Sequence, residues 1–304
     1  MPVRNSWYVI AHADELATGQ CLGRVIMGEP IVLFRRADGR PGALDDRCPH
    51  RLLPLSLGRV VEDGLQCGYH GARFDETGAC VWSPGDAPIS VRSWPVCERF
   101  GFLWIWPGDP ALATAPETLP AFLEYGMPPY DAANGQLLDF AADYRLLVDN
   151  LLDAAHASYV HESTLGAPLW QLGESAAAEA DTEFEADVRE DGITYHYAAR
   201  NTLTGPAFAQ AYARHRGLAE PPPLLDIDLH VQWAAPSVFI FSSVTRAPGE
   251  APEEGIGLVN LHALTPAGPR ATHYFFRNGY RFRDPDPAFR EFWHEAATRA
   301  FMED

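Results

Sequence analysis

Short runs of alternating apolar and polar residues fill positions 6 to 106, and turn-forming residues separate them. The stretches GRVIMG, IVLFRR, ACVWS and FGFLWIW have the twofold period of half-buried β-strands. RADGRPG and FDETGA have the composition of hairpin turns. A sustained helical period does not occur in this part of the sequence. The pattern therefore predicts a small antiparallel β domain at residues 1–107.

The pattern changes in residues 108–130, where proline and alanine are frequent and periodicity is lost, which predicts a linker. Residues 141–161 have apolar positions three and four apart, the spacing of a helix. Six strand-like stretches follow between residues 182 and 282. Apolar positions at helical spacing in residues 284–304, behind an early proline, predict a final helix. A second domain at 131–304 with a mainly antiparallel sheet makes the chain α+β.

Composition narrows the function of this 304-residue chain. A formal net charge of −18 argues against nucleic acid and anionic lipid as partners, because both require clustered cations. A small anionic substrate stays possible, since one local cation can hold a carboxylate. We find no pattern of a signal peptide or membrane span, and five cysteines are an odd number for a disulfide framework. We expect a cytoplasmic protein whose cysteines bind metal or pack in cores.

Two of the five cysteines stand beside histidines. Cys48 and His50 form a C-x-H pair, and Cys67 and His70 form a C-x₂-H pair after a gap of 16 residues. Two thiolates and two imidazoles suit either tetrahedral zinc or a Rieske [2Fe–2S] cluster. The pairing favours the cluster, because two cysteines can hold one iron and two histidines the other. The remaining cysteines are interpreted as core thiols: Cys21, Cys80 and Cys97.

A second group of candidate ligands lies in the predicted helix. Two histidines and one carboxylate on one face of a metal are the non-haem Fe(II) arrangement. His156 and His161 are five residues apart, so on an ideal helix they point about 140° away from each other. Chelation therefore requires a π-bulge, or an end to the helix between residues 157 and 160. Glu303 and Asp304 are candidates for the carboxylate, and Asp304 lies nearer the centre of the apolar stripe of the final helix.

The whole chain resembles the oxygenase component of Rieske non-haem iron oxygenases, and among them the vanillate and dicamba O-demethylase type. The matching stretches include CPHR, CGYHG, ERFGFLWIWPGD, DYRLLVDNLLDAAHASYVH and AFMED. The resemblance implies an N-terminal Rieske domain and a C-terminal helix-grip domain, in which a long helix lies in a curved sheet. It also implies that His156, His161 and Asp304 hold a mononuclear Fe(II). Family members usually continue beyond the acidic pair, which is one departure.

The resemblance assigns a catalytic role to Asp153 as well. It implies that Asp153 bridges a Rieske histidine of a neighbouring subunit to an iron-ligating histidine within a head-to-tail homotrimer. The competing interpretation of Asp153 is a helix-surface residue near Arg145. Asn150 lies one turn earlier and is a candidate to support the same site.

The implied function is that of a terminal oxygenase. It receives NAD(P)H-derived electrons through a separate reductase or ferredoxin, and it uses O₂ to oxidise a small aromatic substrate. O-demethylation of a methoxy-aromatic acid, with release of formaldehyde, is the favoured reaction. The alternatives are N-demethylation, methyl or ring hydroxylation by the same machinery, and a Rieske electron carrier without catalysis.

Candidate substrate contacts come from the strands of the second domain. Histidine and asparagine side chains there can bind a carboxylate, and aromatic rings can stack on a substrate ring. His262 also corresponds, by rough alignment, to a pocket position of dicamba-type enzymes, although an ordinary sheet histidine would fit the pattern equally well. The candidates are His262, Asn201, His230, Trp233 and Tyr274, with Arg200 and Arg246 as possible anion clamps.

Overall fold

The computed structural model describes most of the chain, namely residues 1–62, 64–85, 89–120, 135–167, 181–281 and 286–304. The chain forms two compact units. The first contains Met1–Ala121, Gln136–Leu146 and Ala263–Phe275, and the second contains Leu147–His262 and Phe276–Asp304. Residues 121–130 of the predicted linker lie outside the described residues. The domain boundaries at residues 107 and 130 stay predictions.

The N-terminal part is built from short strands, as the alternating pattern predicts. Gly39 and Gly78 occupy the two predicted hairpin turns with φ of 84° and 82°, a left-handed conformation that favours glycine. The sheets have the orders β1-β10-β9, β2-β3-β4 and β5-β6-β7-β8. Their strands are β1 Tyr8–His12, β2 Cys21–Ile26, β3 Glu29–Arg35, β4 Pro41–Asp45, β5 Arg59–Val61, β6 Gly64–Gln66, β7 Arg73–Phe74, β8 Cys80–Trp82, β9 Val96–Arg99 and β10 Phe102–Ile105.

The C-terminal part contains a seven-stranded sheet of order β11-β17-β16-β15-β14-β13-β12. The six predicted strands are all present, and β12 to β15 pair antiparallel in sequence order. The first strand of the sheet, β11, was not predicted. The strands are β11 Gly135–Phe140, β12 Asp181–Arg189, β13 Gly192–Thr202, β14 Leu225–Ala234, β15 Val238–Arg246, β16 Ile256–Gly268 and β17 Ala271–Arg281.

In the described part of the chain four α-helices accompany this sheet: α1 Tyr144–Leu152, α2 Ala157–Val160, α3 Pro206–Arg216 and α4 Pro287–Glu303. The predicted final helix is confirmed by α4, which Asp286 caps by accepting from the Phe289 amide at 2.8 Å. Side chains of α3 and α4 pack with Leu225 and Leu258 of the sheet in one buried cluster. None of the helices among the described residues is long and apolar enough to cross a membrane.

The predicted continuous helix over residues 141–161 is wrong. Helix α1 ends at Leu152, and Asp153 adopts an extended conformation with φ −89° and ψ 90°. Its carboxylate accepts from the Ala155 amide at 2.9 Å and so caps a new 3₁₀ turn, Ala154–His156. An aspartate that bonds its own local backbone competes with helix continuation, which explains the break.

Candidate metal centres and substrate cavity

Two turns of the first unit carry the four candidate cluster ligands. One turn follows β4, where the Cys48 amide donates to the Leu53 carbonyl at 2.9 Å. The other joins β6 to β7, where the Cys67 amide donates to the Ala72 carbonyl at 2.8 Å. Gly71 in this turn has φ 79°, which a residue with a Cβ rarely adopts. Local backbone bonds therefore define both turns.

The thiols and the imidazoles of these turns occupy different environments. Cys48 and Cys67 are buried, whereas His50 and His70 are exposed, with ring centroids 4.7 Å apart. Burial raises the pKa of the Cys48 thiol, and the neighbouring Cys67 thiol raises it further. The structure thus pairs thiol with thiol and imidazole with imidazole. This is the donor set of a Rieske [2Fe–2S] cluster, in which each iron takes one kind of ligand.

The break after α1 resolves the five-residue spacing of the second group. His156 ends the 3₁₀ turn, and its Nδ1 contacts the carbonyl oxygen of Asp153. His161 follows the last residue of α2 and leaves the helical conformation, with φ −102° and ψ 24°. A helix end, rather than a π-bulge, brings the two Nε2 atoms to 3.2 Å.

The acidic end of α4 completes this group. Asp304 Oδ1 lies 3.6 Å from His156 Nε2 and 3.3 Å from His161 Nε2. Within the described parts of the chain, this is the one group of three or more potential ligands whose donor atoms all lie within 4.8 Å of one another. Two imidazole nitrogens and one carboxylate oxygen fit non-haem Fe(II), which leaves positions for other ligands.

Glu303 takes a different position from Asp304. Its Oε2 lies 2.9 Å from His161 Nδ1, the ring nitrogen on the far side from Asp304. The hydroxyls of Ser163 and Thr164 each donate to the Glu303 carboxylate at 2.7 Å. Glu303 therefore orients the His161 ring from its Nδ1 side, opposite the Nε2 atom that faces Asp304. This supporting role of Glu303, Ser163 and Thr164 was not predicted. A signal for it existed, because adjacent residues of a helix point in different directions, so Glu303 and Asp304 cannot both face the same side of the histidines.

Asn150 and Asp153 flank this group in different ways. Asn150 donates from Nδ2 to Asp304 Oδ1 at 3.0 Å, which holds the carboxylate in place. Asp153 is exposed at the helix break. Arg145, the neighbour considered for Asp153, forms an ion pair with Asp143 at 2.8 Å.

The charges of the group stabilise one another. Burial alone would lower the pKa of His161, but hydrogen bonds that its ring donates to the Asp304 and Glu303 carboxylates outweigh burial and raise the pKa. Burial opposes ionisation of both acids, yet contacts with His161 and neighbouring donors hold their pKa values below the usual range. Both carboxylates therefore stay ionised beside the histidines.

A cavity of about 730 Å³ in the second unit opens onto these ligands. Apolar side chains such as Leu229, Phe241 and Phe301 form much of its wall, as is usual for small-molecule sites. His262 also lines it, with the rings of Phe241 and Phe301 at 4.9 and 5.2 Å. Burial lowers the pKa of His262 to about 3, so the imidazole is neutral at ordinary pH.

The structure does not bring Asn201 and His230 to this cavity. A bulge in β13 between Ala199 and Thr202 puts Asn201 at φ 47°, so Thr202 lines the cavity and Asn201 is exposed. On β14, Leu229 faces the cavity, so the alternation of the strand turns His230 to the opposite face.

The remaining candidates also lie apart from the cavity wall. Arg200 and Arg246 both pair with Asp228, and Trp233 does not line the cavity. Tyr274 packs against Phe140 in the first unit.

Comparison with known families gives these sites a context. A model of the Rieske [2Fe-2S] domain matches residues 6–95. A model of the vanillate O-demethylase oxygenase C-terminal domain matches residues 140–304, more than half of the chain. The chain belongs to the Rieske oxygenases of the vanillate O-demethylase type. The two family matches confirm the resemblance to Rieske oxygenases that the motifs of this Rieske oxygenase indicate. Together with the structure they also confirm the α+β fold class and the expected [2Fe–2S] cluster and non-haem iron.

Curated relatives span most of this Rieske oxygenase. It is 37% identical over 290 residues to the oxygenase component of dicamba O-demethylase from Stenotrophomonas maltophilia, covering 94% of this chain and 80% of the relative. It is 36% identical over 309 residues to the vanillate O-demethylase oxygenase subunit of Pseudomonas sp. strain HR199, covering 99% and 83%. A crystal structure of dicamba monooxygenase bound to 3,6-dichlorosalicylic acid matches with a TM-score of 0.84 and 34% identity, covering 98% and 84%.

Proposed function

We propose that this Rieske oxygenase O-demethylates a methoxy-aromatic compound. One observation carries the proposal: His156, His161 and Asp304 converge at an aromatic-walled cavity in a chain that also holds a Rieske ligand set. An electron carrier has no need for a second metal centre beside a substrate-sized cavity. The demethylating relatives favour a methyl group on oxygen as the position of attack.

The overall reaction balances with one O₂, two electrons and two protons. The methyl C–H is oxidised, the resulting hemiacetal loses formaldehyde, and the products are a phenol, formaldehyde and water. When bound, the cluster supplies single electrons and the mononuclear iron supplies O₂ activation. The apolar wall of the cavity holds the substrate ring and excludes bulk water from the oxidation.

Residues of this chain are assigned to cluster binding, iron binding and substrate contact. We propose that Cys48, Cys67, His50 and His70 bind the cluster, and that His156, His161 and Asp304 bind the iron. Glu303 accepts a hydrogen bond from His161, and Asn150 donates one to Asp304. Glu303 and Asn150 therefore hold these two proposed iron ligands in position. His262, neutral in the cavity wall, contacts the substrate.

We also propose that the chain functions as a head-to-tail homotrimer in which Asp153 receives a Rieske histidine of a neighbouring subunit. Exposed apolar side chains support this. Leu52 and Tyr69 lie beside the exposed cluster histidines of the first unit, and Tyr159 and Phe184 share the cavity lining with Asp153 in the second. Two different exposed apolar surfaces on one chain suit a heterologous ring, in which each surface meets the other kind.

The electron donor is proposed to be a separate reductase or ferredoxin, since relatives are named as components of larger systems. None of the five cysteines forms a disulfide, which suits a reducing compartment, and we propose a cytoplasmic location on that ground.

Formaldehyde release tests the proposed function. The iron-loaded protein would receive a surrogate reductase, NADH and O₂ with a panel of methoxyphenols, methoxybenzoates and N-methyl aromatics. We expect formaldehyde equal to substrate loss for at least one methoxy compound. His156→Ala should abolish it while the Rieske absorption spectrum is retained, because the histidine belongs to the other metal centre.

Three results would contradict the proposal. Hydroxylated products without formaldehyde would indicate a hydroxylase of the same family. Formaldehyde from N-methyl compounds alone would indicate an N-demethylase. A protein that binds only the two irons of the cluster, without substrate-dependent O₂ use, would be an electron carrier.

A further inference from the structure

Arginines without a carboxylate partner gather around the two turns that carry the cluster ligands. Arg47 and Arg51 lie in the turn after β4, and Arg59 of β5 lies directly opposite Gln66, which leads into the turn between β6 and β7. None of these three arginines forms an ion pair with a described residue. Within residues 1–98, the arginines outside 47–73 all pair with a carboxylate: Arg4, Arg24, Arg35, Arg36, Arg40 and Arg92. A chain of formal net charge −18 thus keeps positive charge beside its cluster turns.

The outer face of the four-stranded sheet β5–β8 lies next to one of these turns. Four side chains stand directly opposite one another on successive strands and share this face, here called the arginine–tryptophan face: Arg59, Gln66, Arg73 and Trp82. The other face of the sheet belongs to a buried cluster that contains Leu65 and Phe74 together with the ligand thiols of Cys48 and Cys67. The cluster ligands therefore lie behind one face of this sheet, and the opposite face is open to a partner protein.

Hydrogen bonds join the arginine–tryptophan face to the turn that carries His70. Arg59 donates from Nε to Oε1 of Gln66 at 2.7 Å. Gln66 in turn donates from Nε2 to the carbonyl of Gly71, the residue after His70, at 3.3 Å. A protein bound to this face would therefore contact side chains that hold the backbone beside a proposed cluster ligand.

The other end of this face is aromatic and exposed. The side chain of Trp82 is 45% exposed, and the Arg73 guanidinium lies 5.7 Å from the centroid of its ring, within cation–π range. Leu57, two residues before Arg59, is 68% exposed. Tryptophan and arginine are the residues that most often supply the binding energy of protein interfaces. The face thus combines apolar anchors with positive charge.

We propose that the arginine–tryptophan face, in the positive field of Arg47 and Arg51, is the docking surface for an electron-carrier protein that presents carboxylates around its own one-electron group. The inference rests on the proposed function and names the chemistry of the partner that delivers the electrons. One electron leaves the reduced carrier and enters the oxidised cluster, and no atom is transferred. Because Leu52 and Tyr69 are proposed to face a neighbouring subunit, the carrier requires a different surface, which the outer face of β5–β8 supplies.

Charge complementarity explains why an acidic carrier fits this face. The net charge of −18 repels an acidic protein from most of the molecular surface, so local arginines decide where such a protein can approach. The guanidinium group binds carboxylates through paired hydrogen bonds. Electrostatic steering of this kind raises association rates by about 10- to 1,000-fold, and salt weakens it. Electron-transfer complexes have small interfaces, which a few arginine and tryptophan anchors can form.

The test follows reduction of the cluster before any substrate is added. The cluster-loaded protein is mixed without oxygen with a reduced plant-type [2Fe–2S] ferredoxin, an acidic carrier, and the Rieske electron resonance signal is measured in rapidly frozen samples. The methyl viologen radical cation is the comparison reductant, because it gains nothing from arginines. We expect the second-order rate constant with ferredoxin to fall as the salt concentration rises.

Variants assign the docking to the proposed residues. Arg51→Gln/Arg59→Gln should lower the rate constant with ferredoxin by about tenfold or more at low salt and weaken its salt dependence. Arg4→Gln/Arg92→Gln is the matched control, because each double variant removes two positive charges and takes the formal net charge from −18 to −20, but these two exposed arginines pair with a carboxylate far from the turns in sequence. The control should leave the rate constant nearly unchanged.

Two further measurements separate docking from other effects. Trp82→Ala should lower the rate constant with ferredoxin without changing the slope of its salt dependence, because an apolar anchor acts at short range. The midpoint potential of the cluster and its reduction by the viologen radical should be the same in the arginine variants and in the unaltered protein. The Rieske absorption spectrum shows that each variant is folded and holds its cluster.

Four results would overturn the inference. They are a rate constant that Arg51→Gln/Arg59→Gln does not change, a rate loss that a shifted midpoint potential explains, and no reduction by ferredoxin where the viologen radical reduces the cluster. The fourth is a change of oligomeric state in sedimentation, which would assign these arginines to an interface between copies of the chain.

The outcomes also separate this inference from the proposed function. Arginine-dependent reduction in a protein that releases no formaldehyde from any methoxy compound would support the inference and overturn the demethylase. Formaldehyde release together with arginine-independent reduction would overturn the inference alone. A protein that binds no Rieske cluster would overturn both.

Discussion

The four candidate Rieske ligands come from two turns of one small β region, whereas the three candidate iron ligands come from an interrupted helix and the end of α4. The first group exposes its imidazoles and buries its thiols. The second group lies at an internal cavity, where Glu303 and Asn150 hold two of its members. The first site needs two neighbouring turns of one β region to pack together, whereas the second depends on packing between segments much farther apart in the chain.

This difference predicts that a substitution can remove the cluster without removing the mononuclear iron, and the reverse. A change in the turns should remove the cluster and leave the cavity intact, because none of the described residues of the cavity wall belongs to those turns. A change at the end of α4 should remove the iron and leave the cluster. The supporting residues should matter more at the second site, where the ligands depend on partners far away in sequence.

The largest effect is expected from a cluster ligand. Cys67→Ser should remove the Rieske absorption and electron resonance signals, abolish turnover, and reduce iron from three to one per chain. Cys97→Ser is the matched control, because burial raises the pKa of that thiol to about 11 and it lies outside the two turns. Iron analysis and both spectra check this. If Cys67→Ser also emptied the mononuclear site, the two sites would not be independent.

A comparable loss is expected at the end of α4. Asp304→Ala should reduce affinity for the mononuclear iron, and with it turnover, by more than about 100-fold, the upper range for residues that only support ligands. The Rieske spectrum should be unchanged. Glu295→Ala, at an exposed position of the same helix, is the control. Full iron occupancy in Asp304→Ala would remove this residue from the proposed ligand set.

A smaller loss of iron affinity should distinguish a residue that supports a ligand from a residue that binds the iron. Glu303→Gln keeps a carbonyl oxygen for His161 but removes the charge, so we expect iron affinity to fall by about 10- to 100-fold. Metal titration of Glu303→Gln and Asp304→Ala shows which variant loses more iron affinity. An equal loss in Glu303→Gln and Asp304→Ala would mean that both acids bind the metal.

The smallest effect concerns pH and stability. Burial lowers the pKa of His262 to about 3 in the folded chain, against about 6.5 when unfolded. As pH falls below about 6.5 the unfolded state gains a proton that the folded state does not, so stability is lost. Between pH 7 and pH 5 this costs about 2 kcal/mol, and His262→Gln should remove that contribution. Urea unfolding of both proteins at several pH values measures it; parallel curves would show that His262 is not held neutral.

The strand pattern, the final helix and the four candidate Rieske ligands were predictable from the sequence. Alternation, turn residues and short ligand spacing act over a few neighbouring positions, so they are visible without tertiary contacts. The sequence also marked His156, His161 and the acidic pair, because residue type restricts which side chains can bind iron.

The arrangement of these residues depends on tertiary contacts. The helix that periodicity alone predicts as continuous is interrupted at Asp153, because the Asp153 carboxylate accepts a hydrogen bond from the Ala155 backbone amide. Which acid faces the histidines depended on the rotation of α4 against distant segments. Asn201 and His230 turned away from the cavity through a bulge and strand parity. Such choices depend on packing between residues far apart in the chain, which the local pattern does not encode.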